Sequence, residues 1–224
     1  MASIADNLAR VRNTIERAGA RAGRAAADVT IVGAVKTVPV ERIRAAVELG
    51  LTDLGENYVG ELRDRAPRFP EARWHFIGTL QSGTAAHVAD LADVVETLAS
   101  ERATERLARR AARAGRRIDA LIEVDLTGER SGVPPERVAA LADRVAALEG
   151  LRLVGLMTLP PIPERAEDSR PFFARLRDLR DRVRDAHPDM LELSMGMSLD
   201  YEVAVEEGAT MVRIGTALFG ERPT

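Results

Sequence analysis

The sequence predicts an α/β fold: a single (β/α)8 TIM barrel over residues 1–224, with an extra helix at its N-terminus. Three observations point there. Eight short apolar runs recur along the chain. Several are continuous instead of alternating, as strands of a parallel sheet covered on both faces should be. Helically spaced apolar residues fill most of the gaps, which is the strand–helix rhythm of α/β proteins. The alternative, an open doubly wound sheet, is disfavoured because no G-x-G-x-x-G follows the first apolar run. At 224 residues the chain is slightly short for a barrel, so short loops and no large lid are expected.

Ile4, Leu8, Val11 and Ile15 repeat at helical spacing, with Ser3 and Asp6 placed as a capping box and Gly19 and Gly23 closing the helix. Strands are expected at VTIVGAV (29–35), TDLGEN (52–57), WHFIG (74–78), DVVETLA (93–99), DALIEVDL (119–126), LRLVGLM (151–157), MLELSMG (190–196) and MVRIG (211–215). Pro39 opens the helix ERIRAAVELG as a first-turn proline, and Gly50 ends it. The stretch 100–115 reads as a polar, Arg-rich helix. Pro134 and Pro135 precede a helix with Val138, Leu141, Val145 and Leu148 on one face. Phe172, Leu176, Leu179 and Val183 mark another, with Asp178 and Arg182 as an i,i+4 pair and Pro188 as its stop.

Composition narrows the chemistry. A net charge of -3 gives no reason to expect nucleic acid or an acidic membrane as partner. The Arg-rich stretch 101–117 has no interleaved aromatic residue and reads as a solvated helix face. The absence of cysteine excludes disulfides, thiolate catalysis and Cys-based zinc sites. His75, His87 and His187 lie far apart with no metal-ligand spacing, so no metal is expected. Neither a membrane-length apolar stretch nor a basic-then-apolar leader is read, so the expected address is the cytoplasm. With no apolar stripe left over, a monomer is expected.

Lys36 is the one lysine among 32 Lys and Arg residues. Exposed positions mostly need only charge, so lysine drifts to arginine there at little cost. A chemical role for the amine resists that drift, because a guanidinium stays protonated and does not serve as a Schiff-base nucleophile. Lys36 also ends the first strand, and barrel function comes from the C-terminal strand ends. Reading all of those ends adds Glu56, Asn57, His75, Gly78, Thr97, Glu123, Asp125, Met157, Thr158, Ser194, Met195, Gly196, Arg213, Gly215 and Thr216. Burial beside Arg213 would disfavour the ammonium form of Lys36. At the last strand, R-I-G-T offers backbone N–H groups at a helix start, where barrels often place a phosphate, and Ser194 and Gly196 could add donors. A strand-one lysine next to such a nest suits a phosphorylated carbonyl compound. Glu123 and Asp125 could form an acid/base or metal pair, or pair with arginines.

The stretches AVKTVP, LGENYVGE, WHFIGTLQ, GLMTL and LSMGMSLDYEVAVEEGATMVRIGTALFG resemble the pyridoxal phosphate homeostasis protein family, in the right order over residues 30–220. The resemblance implies the fold of the alanine racemase N-terminal barrel and bound pyridoxal 5′-phosphate (PLP). It implies Lys36 as the Schiff-base lysine and Arg213 facing the pyridine nitrogen. Ser194, Gly215 and Thr216 would hold the phosphate with nearby amides, including Met195 and Gly196. Asn57 and Met157 would line the pocket, His75 would lie near its floor, and Arg130 would match a basic loop position. The chain departs from the family's pattern at Val38, where many members carry a second lysine, and at Ser82-Gly83-Thr84, where an Asn-Lys pair is common.

The implied function is a PLP carrier or reservoir that releases cofactor to apo-enzymes without substantial catalysis. Arginine at the ring nitrogen weakens the electron sink, and the barrel alone brings no opposing tyrosine from a partner. Tyr58 is a conceivable base. The alternatives are an amino-acid racemase-like enzyme and a cofactor-free, Schiff-base aldolase.

Overall fold

The computed structural model describes residues 3–129 and 131–221; Arg130, the basic loop position implied by the resemblance, lies outside them. Helix α1 (Ile4–Arg21) leads into β1 (Thr30–Ala34), α2 (Val40–Glu48), β2 (Asp53–Glu56), α3 (Val59–Arg65) and β3 (Arg73–Phe76). Then follow α4 (Ala85–Leu91), β4 (Val94–Leu98), α5 (Glu101–Arg113), β5 (Ile118–Val124), α6 (Val138–Ala146) and β6 (Leu151–Thr158). The chain continues through α7 (Arg170–Arg184), β7 (Glu192–Ser194), α8 (Tyr201–Glu206), β8 (Met211–Ile214) and α9 (Thr216–Phe219). The strands form a closed parallel barrel in sequence order, β8 returning to pair with β1. Each of the eight expected strands is present, and so is the leading helix.

Local chemistry explains the elements. Ser3 caps α1, its hydroxyl accepting the Asp6 N–H while Asp6 accepts the Ser3 N–H. Leu8, Val11 and Ile15 bury one face of that helix. Ser100 caps α5, which buries Ala103, Leu107, Ala108 and Ala111 and leaves its arginines outward, so the polar helix reads correctly as a solvated face. Pro39 stands one residue before α2, and Gly50 adopts φ 82 just past its end.

Three details differ from expectation. Gly19 lies inside α1; a Cβ there would come within 2.9 Å of the Arg24 carbonyl oxygen, so this glycine serves a close backbone approach, and Gly23 at φ 66 makes the turn. On α7, Phe173 fills the core and Phe172 packs at its edge, because the buried stripe runs through 173, 176 and 179. Asp178 meets Arg177 at 3.3 Å instead of pairing with Arg182.

The main apolar core lies between the strands and the surrounding helices. A second cluster, Val94, Leu121, Val154 and Met157, is separate from it. Side chains alternate along a strand, so Val94 shares its face with Glu96. Glu96 accepts a hydrogen bond from Ser194 Oγ at 2.5 Å. Since β4 and β7 are not neighbours in the sheet, that bond crosses the lumen, and this face is the barrel interior. Among the described residues no helix is long and apolar enough to cross a membrane.

Candidate ligand site at the barrel mouth

A cavity of about 380 Å³ opens at the C-terminal ends of the strands. Lys36, Asn57, Arg213, Gly215 and Thr216 line it. These five, from β1, β2 and β8 or the loops just after them, were named from sequence, and the structure gathers them. Five other residues that the resemblance assigns to the cofactor do not line it. His75, Met157 and Ser194 point into the lumen below, Met195 is fully buried in the main core, and Gly196 makes a turn. At Gly196, φ is 90 and a Cβ would sit 2.5 Å from that of Ala204, so only glycine fits.

The cavity has an apolar wall that the strand-end reading missed: Leu159, Ile162, Pro163, Met197 and Leu199. Ser198 and Asp200 also line it. Ser198 belongs to the S-M-G-M-S block, but β7 ends at Ser194, and the loop carries the second serine to the mouth. Ser198 Oγ accepts the Ala217 N–H at 3.1 Å, tying this loop to the start of α9. Asp200 accepts Ser169 Oγ at 2.6 Å and the Met197 N–H at 2.7 Å.

Arg213 joins the cavity to the lumen. Its guanidinium donates to Ser194 Oγ and, at 2.9 Å, to the Thr158 carbonyl; Glu96 lies 3.7 Å away. Glu96 also meets His75 Nδ1 at 2.7 Å, and His75 Nε2 meets Asp53 at 3.1 Å. A hydrogen-bonded row, Asp53–His75–Glu96–Ser194–Arg213, thus runs through the lumen to the mouth. Burial works against the imidazolium of His75, but the carboxylates on either side outweigh it and raise its pKa. Burial likewise opposes the Glu96 carboxylate, yet His75, Arg213 and Ser194 hold it below the usual range.

These directions fix a pH dependence. The raised His75 contributes stability in full below its ordinary value of 6.5, lost as pH rises through the folded-state pKa. The lowered Glu96 contributes stability in full above 4.5, lost as pH falls through its folded-state pKa. Both are present together between 4.5 and 6.5. The difference in Tm between wild type and His75→Gln is therefore expected to peak in that window and shrink on either side. A difference that is flat across pH would contradict the charged pair.

The turn carrying Lys36 is strained. Thr37 has φ 62, the one positive φ at a non-glycine residue among those described. For a β-branched side chain this is a genuine outlier, costing about 1–3 kcal/mol. Arg65 Nη1 donates to the Val35 carbonyl at 2.8 Å, and Nη2 to the Val38 carbonyl at 3.0 Å. Arg65 also pairs with buried Glu56 and with Glu61, the latter at 2.6 Å. Glu61 accepts the Thr37 N–H at 3.2 Å. Glu56 accepts the N–H of Asn57 at 2.7 Å and of Tyr58 at 3.3 Å.

Other strand-end groups serve structure. Thr97 and Thr158 donate to the carbonyls of Gly78 and Val124 at 2.6 and 2.9 Å. Asp125 accepts the Thr127 and Gly128 N–H groups in a turn. No group of three or more His, Cys, Asp or Glu suited to a metal occurs among the described residues. Tyr58 is 56% exposed and does not line the cavity.

Residues 2–223 match the family model described as the alanine racemase N-terminal domain. The chain is 41% identical over 222 residues to the pyridoxal phosphate homeostasis protein of Aquifex aeolicus (strain VF5), covering 97% of each chain. It is 38% identical over 234 residues to the protein of the same name from Escherichia coli (strain K12), covering 99% of this chain and 98% of that one. Among solved structures, PipY of Synechococcus elongatus PCC7942 with PLP bound aligns at TM-score 0.86 and 31% identity, covering 97% of this chain and 100% of that chain. Such identity, held from end to end on the same closed barrel, means that the chain belongs to the pyridoxal phosphate homeostasis protein family.

Proposed function

We propose that this chain binds PLP as a Schiff base on Lys36 and acts as a cytoplasmic, monomeric carrier or reservoir that supplies apo-enzymes without substantial catalysis of its own. One observation carries it: the only lysine of the chain shares the mouth cavity with Arg213, Asn57, Gly215 and Thr216. The residues fit the cofactor. The volume of about 380 Å³ lies in the range of small-molecule sites. Asn57 Oδ1 is buried without a hydrogen-bond partner among the described residues, an acceptor suited to a ligand donor.

When bound, the cofactor supplies an aldehyde carbon that a neutral lysine amine can attack, with loss of water. The protein's part is positional. Gly215, Thr216 and Ser198 offer amides and hydroxyls for a phosphate. Arg213 is fixed by Ser194 and Thr158 and balanced by Glu96; it would hold the ring-nitrogen side of the cofactor with a fixed cation, which would disfavour a protonated ring and so weaken its electron withdrawal. Asp200, the carboxylate lining the cavity, is committed to Ser169 and Met197. That supports a holding role over turnover.

Incubation with PLP, borohydride reduction and mass spectrometry test this reading. A pyridoxyl mass on the Lys36 peptide is expected, together with a visible absorbance band that reduction bleaches. A colourless protein unchanged by PLP would favour the aldolase alternative. Racemisation of alanine at an ordinary enzymatic rate, about 10 per second, would overturn the carrier reading.

A further inference from the structure

We propose that Arg65 is a positioning residue for the attachment lysine: its guanidinium holds the turn 35–38 in a conformation Thr37 would otherwise leave, and thereby aims Lys36 into the cavity. The inference rests on the assignment of Lys36 as the attachment point.

Four observations converge. Lys36 stands between the two carbonyls that Arg65 grips, those of Val35 and Val38. Thr37, the next residue, sits in the left-handed region, which a β-branched residue avoids unless its surroundings impose it. The Thr37 N–H is held by Glu61, itself paired to Arg65. Arg65 also pairs with Glu56, whose carboxylate takes the Asn57 N–H, so one guanidinium ties together the loops bearing Lys36 and Asn57. Arg65 is only 11% exposed, and a lysine ammonium could not reproduce its planar fork. It lies outside the cavity lining and acts through the backbone.

The strain makes the role testable by rescue. The turn keeps its own bond from the Val38 N–H to the Val35 carbonyl at 2.9 Å, so loss of the grip is expected to loosen Thr37, and with it the Lys36 Cα–Cβ direction, without unfolding the turn. Glycine at 37 takes positive φ without steric strain, so the turn needs less holding. PLP is the probe, and its Kd by absorbance titration is the main readout. Arg65→Lys is expected to raise Kd about tenfold, while borohydride at saturating PLP still labels Lys36. Thr37→Gly alone is expected to raise the Tm of the cofactor-free protein. Added to Arg65→Lys, Thr37→Gly is expected to recover a large part of the lost affinity.

A wild-type Kd in Arg65→Lys, or a loss that Thr37→Gly leaves untouched, overturns the inference while labelling of Lys36 still stands. Absence of any label on Lys36 in the wild type overturns both readings. If Arg65→Lys does not fold, Glu61→Ala removes only the Thr37 N–H acceptor and one arm of the clamp. It is expected to raise Kd about threefold, again relieved by Thr37→Gly, and an unchanged Kd counts against the proposal.

Discussion

Lys36→Ala is expected to abolish the borohydride-fixed pyridoxyl adduct and to weaken PLP binding by at least about 100-fold, equivalent to about 2.7 kcal/mol. The chain makes the measurement unusually clean. With one lysine, the only other primary amine is at the N-terminus, so a mass shift on any internal peptide must report position 36. Lys36→Arg is the sharper control. Arginine is what every other basic position of this chain carries, and it preserves the charge. It does not preserve the nucleophile, since a guanidinium stays protonated. Both variants are expected to lose the adduct, and both to keep the fold, because Lys36 lies in the turn after β1 and is not part of the main core. A variant at position 36 that still gains the adduct mass would end the assignment.

Glu96→Ala is expected to destabilise the cofactor-free protein by about 3–5 kcal/mol, the usual cost of removing one partner from a buried charge pair. Glu96 is fully buried, as is His75, and Arg213 is 4% exposed. Its two oxygens serve different neighbours: Oε1 meets His75, and Oε2 accepts Ser194 and faces Arg213. Removing it leaves a buried guanidinium without its nearest counter-charge and a hydroxyl without its acceptor. His75 can shed its proton, but Arg213 cannot, so the penalty falls on the arginine. Glu96→Gln keeps an acceptor and is expected to cost less. Urea unfolding followed by circular dichroism measures both, and a loss below about 1 kcal/mol for the alanine variant would show that the row carries little net charge energy.

The barrel was legible because short continuous apolar runs alternate with helically spaced segments and because turns and caps fell where chemistry puts them. Lys36, Asn57, Arg213, Gly215 and Thr216 were legible for a simple reason: they end strands or follow directly. What failed was orientation. A strand covered on both faces shows no alternation, so nothing in LELSMG said that Ser194 looks into the lumen and not toward a ligand. In VVETLA the reading of strand ends points to Thr97 and passes over Glu96. A lone carboxylate in an apolar run was the available signal, since such a charge requires a buried partner. Arg65 had no signal at all. It is one arginine among many on helices, and only its reach to two carbonyls of another loop sets it apart.

The polar row and the cluster around Leu121 fill the lumen, so the barrel is plugged. Any molecule lodged at the mouth therefore has a single door. Under the carrier reading, loading and unloading could not proceed at once, and a recipient taking cargo directly would have to stand where a fresh molecule would arrive. Ile162 and Leu199, two of the most exposed large apolar side chains described, frame that doorway. A protein seated there to collect would also bar the next delivery, making turnaround a matter of taking turns at one threshold.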